Sequence, residues 1–198
     1  MFNYEIAPQV REVNDPCSFT LTNFDERSLH AFEKALQKAR AYDQPIFPIK
    51  IQSDGGSVAI MLGFMSLMKK YREQGMKFIS IVAGTAASAG CVIFLYCDER
   101  YMGEFASLMF HASFCGLEGP LPSIKNRIDW FNKEETKVNE VLSIHLKRPK
   151  GWIEGQLKKR GASEDWSMNA QEALDLKMAT KIGIPTLTLV LYAGFSID

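Results

Sequence analysis

The chain has 198 residues, 46% of them hydrophobic and 23% charged, which suits the core of one globular domain and leaves no room for a second full one. Lysine plus arginine equals aspartate plus glutamate at 23 each, excluding the basic field that draws a protein to nucleic acid or an anionic membrane. Four cysteines, Cys17, Cys91, Cys97 and Cys115, lack paired metal-ligand spacing and read as reduced core residues of a cytoplasmic protein without a bound metal.

Met1 to Pro16 mixes polar, acidic and apolar residues and lacks the basic-then-apolar layout of a secretory signal. A short strand is expected at Phe19 to Leu21. Asp25 then reads as an N-cap for a helix carrying Leu29, Phe32, Leu36 and Ala39 on one face. Ile46 to Ile51 reads as a strand ending in Ser53-Asp54-Gly55-Gly56, a tight turn before a helix with Ile60, Phe64, Leu67 and Tyr71. Phe78 to Ala83 is a second buried strand, running into Gly84-Thr85-Ala86-Ala87-Ser88-Ala89-Gly90 and an apolar helix from Cys91 to Tyr96. A further strand, Leu108 to Phe110, ends at His111. The glycine- and proline-containing stretch Ala112 to Pro122 reads as a loop, and Ile124 to Leu146 as a long helix. Thr186 to Ala193 suits a buried or partner-covered strand rather than a membrane anchor.

Strands alternating with helices imply right-handed crossovers and a largely parallel sheet, so the fold class is α/β. Residues 1–18 read as an N-terminal segment and 19–198 as a single domain. The long helix, at about 123–146, exceeds what a small sheet needs to cover and projects as an interaction element.

In such folds reactive groups gather where strands end and helices begin, because backbone N–H groups there are unsatisfied. Three segments qualify: Gly55-Gly56, where a missing Cβ leaves amides free to hold an oxyanion; Ser88, flanked by small residues at a helix start; and His111, directly after a strand. A Gly-Gly turn, a serine cap or a histidine after a strand is each commonplace alone. Their combination, each at a strand exit, points to nucleophilic catalysis.

These segments resemble known motifs. Ile51-Gln52-Ser53-Asp54-Gly55-Gly56-Ser57-Val58 resembles the glycine motif of ClpP-type peptidases, Gly84 to Gly90 their nucleophile motif, and Leu108-Met109-Phe110-His111 their histidine motif. Met168-Asn169-Ala170-Gln171-Glu172-Ala173 is similar to the segment before the family's last helix. Order and approximate spacing agree from about Phe19 to Ile184. The resemblance implies a ClpP/crotonase-like β-α-β spiral with Ser88 as nucleophile, His111 as its base, and the N–H groups of Gly55 and Ala89 as the oxyanion hole. It further implies a handle helix from Ile124, stacked heptameric rings enclosing an inner chamber, polypeptide substrates, and a separate AAA+ unfoldase of the ClpX or ClpA type. No cofactor is called for, and no phosphate-binding glycine loop with Lys and Ser or Thr is present.

Three departures stand out. Asp54 occupies the family's usual proline position, placing a carboxylate beside the oxyanion hole. The loop Ala112-Ser113-Phe114-Cys115-Gly116 lacks the usual Gln-Pro opening. Counting back without gaps from Asn169-Ala170 puts Gly161 at the family's aspartate, and glycine has no side chain to accept a hydrogen bond from the imidazole N–H. Glu164 and Asp165 are the carboxylates nearby. Asp165, directly before Trp166, is the preferred third catalytic residue, with Glu164 second and an acid-free dyad as the remaining option. Two other functions compete: a crotonase-type acyl-CoA enzyme, which needs no Ser and His pair, and a non-catalytic ring subunit.

Overall fold

A computed structural model of the chain describes residues 9–13, 16–113, 116, 118–161 and 165–193. Strands β1 (Gln9–Val13) and β2 (Phe19–Leu21) precede helix α1 (Glu26–Ala41), followed by β3 (Ile46–Ser53), α2 (Val58–Glu73) and β4 (Lys77–Ala87). Next come α3 (Ala89–Leu95), β5 (Glu99–Met102), β6 (Ser107–Phe110) and the long α4 (Leu121–His145). The remaining elements are α5 (Trp152–Arg160), β7 (Trp166–Asn169), α6 (Ala170–Asp175), β8 (Lys181–Ile182) and β9 (Leu189–Ala193).

The expected α/β class is what the structure shows: β2, β3, β4, β5 and β8 lie side by side, all parallel. Asp25 starts α1 with a reciprocal cap: its carboxylate accepts the Ser28 N–H at 2.7 Å, and the Ser28 hydroxyl accepts the Asp25 N–H at 3.1 Å. That bond from the Ser28 N–H holds the Asp25 carboxyl below its ordinary range. Phe32 of α1 and Phe64 of α2 meet at 4.8 Å between ring centres, with Phe24 against Phe64 at 5.6 Å. Burying each such ring contributes about 1.5–3 kcal/mol. This cluster presses both helices onto β2 and β3.

β4 is the longest strand and the pivot of the sheet. Its residues Ile79 to Val82 pair with β5, and Thr85 to Ala87 pair with β6. The sequence pattern predicts an end to this strand at Ala83, before the small-residue segment Gly84 to Gly90. Instead β4 continues to Ala87, because a register shift between Ile51 and Ser53 lets extra residues of β4 bow outward. The Gln52 side chain fills the bow, accepting the Thr85 N–H at 3.2 Å, and a Cβ on Gly84 would collide with that same oxygen.

Several elements went unanticipated. β5 and α5 carry weak periodicity, and β7 joins β6 as the antiparallel edge of the sheet. β9 pairs antiparallel with β1, Gln9 opposite Ala193, so the partner of this strand is an early segment of the same chain. α4 begins at Leu121, inside the stretch read as loop, since Pro122 in a first turn has no intrahelical N–H bond to lose. The early part of α4 leaves the body of the molecule: Ile128 and Trp130 are exposed, and burial begins only at Val138. No helix among the described residues is long and apolar enough to cross a membrane.

Candidate active site

Ser88 is the single residue joining β4 to α3, and its backbone is unusual. It has φ +52° and ψ −122°, a left-handed conformation that costs a residue with a Cβ about 1–3 kcal/mol. It stands at the N-cap position of α3, yet its side chain makes no capping hydrogen bond. The commonplace explanation of a serine at a helix start therefore does not apply. The strain is sustained by its surroundings: the Ser88 N–H donates to the Met109 carbonyl at 2.8 Å, and the Ser88 carbonyl accepts from Val92 N–H at 3.1 Å. A strained strand-to-helix corner of this kind turns a hydroxyl outward from the sheet.

The same bond to Met109 brings the end of β6 alongside. Ala87 pairs with Met109 in parallel register, so Ser88 and His111 leave neighbouring strands at the same edge. Both line one cavity of about 260 Å³, together with Gly56 and Ala89. No hydrogen bond joins the Ser88 hydroxyl to the His111 ring among the described residues. The His111 Nδ1 lies 2.5 Å from the Ala112 carbonyl oxygen. A carbonyl can only accept, so Nδ1 carries the proton and Nε2 of a neutral ring keeps its lone pair.

Gly55 lies directly behind the serine. A Cβ built on it would sit 2.6 Å from the Ser88 Cβ and 3.1 Å from its hydroxyl oxygen, and its φ of +107° is itself in glycine territory. The Gly55 N–H donates to the Ser53 hydroxyl at a long 3.2 Å. Ala89 is the first residue of α3, where a helix leaves its N–H groups without intrahelical acceptors. Asp54 is exposed and does not line the cavity, so its carboxylate is turned to water.

Asp165 is placed less directly. β6 and β7 pair antiparallel up to Phe110 opposite Trp166, so His111 directly follows and Asp165 directly precedes the last pair of the ladder. The Asp165 side chain nevertheless lines a separate cavity with Arg160 and Glu172, and the His111 Nδ1–H is held by Ala112 instead. Glu164 lies outside the described residues.

Two features of the surroundings escaped sequence reasoning. α4 lends Glu134, Glu135 and Asn139 to the cavity of Ser88. Glu135 also accepts the Ser113 N–H at 2.6 Å, tying the helix to the loop just past His111. The only sequence signal was their interruption of the helix's apolar positions. Cys91, three residues past Ser88, is fully buried, and burial pushes its thiol far above the ordinary range, while Cys97 is pushed up to about 12. Neither forms a thiolate at neutral pH, which leaves Ser88 without a rival nucleophile among these buried groups. Cys115 lies outside the described residues. In a comparison with models of known families, residues 28–184 match the Clp protease family.

Proposed function

The chain belongs to the Clp protease family, and on that premise we propose that it is a serine endopeptidase subunit, with Ser88 as nucleophile and His111 as general base. The observation that carries this reading is the strained, uncapped Ser88 on a cavity wall shared with His111. Catalytic hydrogen bonds are often open without substrate, so a Ser88 hydroxyl not yet joined to His111 is compatible with it.

As substrate binds, the Ser88 hydroxyl gives its proton to His111 Nε2 while Oγ attacks the peptide carbonyl carbon. The N–H groups of Gly55 and Ala89 receive the resulting oxyanion, Gly55 exchanging its long bond to Ser53 for the stronger charged acceptor. The carbon–nitrogen bond breaks, and His111 returns the proton to the leaving amine. Water, deprotonated by the same ring, then releases the acyl group from Ser88. We take Asp165 as the acid that orients His111, drawn across the end of the β6–β7 ladder in place of the Ala112 carbonyl.

The direct test is a fluorophosphonate probe on the native protein, read by mass spectrometry, beside hydrolysis of short peptides. Labelling confined to Ser88 supports the reading, whereas an unlabelled protein that hydrolyses no peptide favours a non-catalytic ring subunit. Gly55→Ala is expected to lower kcat/KM by about a hundredfold or more, because the added methyl displaces Ser88 and one oxyanion donor is worth 10²–10³ in turnover. Activity close to that of the unaltered protein would remove Gly55 from the oxyanion hole.

Family membership implies oligomeric rings and an unfoldase partner in general terms. We propose stacked heptameric rings joined through the early part of α4, where Ile128 and Trp130 are exposed apolar residues. Native mass measurement is expected to give a species near fourteen chains, and Trp130→Asp to reduce it to single rings or smaller. A monomer at micromolar concentration would count against this assembly.

A further inference from the structure

Beside Ser88, the cavity has two kinds of wall. Met61, Val92 and Phe110 form an apolar side, each nearly inaccessible, while Glu134, Glu135 and Asn139 come from α4. No lysine or arginine lines it among the described residues. Asn139 is only 5% exposed, yet among those residues its side-chain amide has no hydrogen-bond partner although it borders the cavity. Among the described residues the buried side-chain atoms left without a partner are Arg72 Nε and Arg148 Nε, so the Asn139 amide is open to the cavity and can bond what enters it. Glu134 faces one cation, Lys137 at 3.7 Å on the same helix, whose side chain is 70% exposed and offers only a weak surface pairing. Glu135 uses one oxygen on Ser113 N–H and keeps its other oxygen unassigned.

Given the peptidase reading on which this rests, the cavity adjoining the nucleophile is where the side chain preceding the scissile bond must enter. We propose that this subsite selects a lysine or arginine at that position. The apolar walls cover the methylene stem, the Glu134 and Glu135 carboxylates attract the cationic head, and Asn139 accepts a hydrogen bond from it through its amide oxygen. A purely apolar residue leaves those polar groups unpaired, and an acidic one meets like charge. Sites built to bond a polar group discriminate against the analogue that lacks it far more strongly than apolar pockets discriminate by size. Neither the handle role of α4 nor the chemistry of Ser88 requires these three residues.

The experiment uses the assembled, unaltered protein and a peptide series identical except before the scissile bond: lysine, its uncharged isostere norleucine, and glutamate. The expected kcat/KM is at least tenfold higher for lysine than for norleucine, with glutamate slowest. In Glu134→Gln and Glu135→Gln the lysine-to-norleucine ratio is expected to fall several-fold, and because a ratio is read, partial loss of folded protein does not affect it. Norleucine cleaved as fast as lysine, or a ratio unchanged in both variants, would overturn the subsite assignment while leaving the peptidase reading intact. A protein that cleaves none of the series and resists the fluorophosphonate probe would overturn both.

Discussion

Ser88→Ala is expected to abolish peptide hydrolysis, by about 10⁴- to 10⁶-fold in turnover, and to remove fluorophosphonate labelling, while the assembly stays intact. The scale follows from removing a nucleophile that works as a unit with its base: once either is gone, only binding and the oxyanion donors remain. The loss is separable from misfolding because the Ser88 hydroxyl makes no capping bond whose removal would weaken α3. Ser88→Gly sharpens the test. At φ +52° a glycine relieves backbone strain that alanine retains, so the glycine variant should be equally inactive yet unfold at a higher temperature than the alanine variant. A gain in stability with a complete loss of activity is the signature of strain held for function. Substantial hydrolysis by Ser88→Ala would place the nucleophile elsewhere.

Asp165→Asn is expected to lower turnover by about 10⁴-fold with little change in folding. Removal of the acid in a Ser-His-Asp arrangement has this effect because the imidazole loses its tautomer and the stabilisation of its charged form. The folding side of the prediction rests on exposure: Asp165 is at the surface, before β7 begins, and Trp166 rather than Asp165 is packed in the core. The decisive geometry is that His111 directly follows and Asp165 directly precedes the last pair of the ladder, Phe110 opposite Trp166. The competing acceptor is already in place, since the Ala112 carbonyl holds the Nδ1–H and therefore selects the same tautomer. A backbone carbonyl carries no full charge and stabilises imidazolium less than a carboxylate does. Near-normal activity in Asp165→Asn removes Asp165 as the acid, and near-normal activity in Glu164→Gln as well means that Ala112 suffices and the site works as a dyad. Parallel measurement of native mass distinguishes lost orientation from lost assembly.

Much of the scaffold was legible because it repeats a local pattern. The α1 cap at Asp25, the β3–α2 corner at Gly55-Gly56 and the β6–His111 boundary all follow from residue types whose conformational preferences act within a few positions. Even the family resemblance rests on such corners, and the match over residues 28–184 agrees with it. Where the reading failed, nonlocal contacts were responsible. β4 runs past Gly84 because a side chain from β3, Gln52, supports the outward bow. β7 pairs antiparallel with β6 although little in Trp166 to Asn169 announces a strand.

The neighbourhood of the serine divides in the same way. Sequence alone placed His111 and the two glycines just past strands and Ser88 at a helix start, while the extension of β4 to Ala87, directly before Ser88, came from the tertiary structure. Only the tertiary structure decided that Ser88 is strained and uncapped, that Asp54 turns to water, and that α4 presents Glu134, Glu135 and Asn139 to the same cavity. Those residues lie some fifty positions beyond Ser88 in the chain, and no short-range preference can encode an approach that depends on how a helix crosses the end of a sheet.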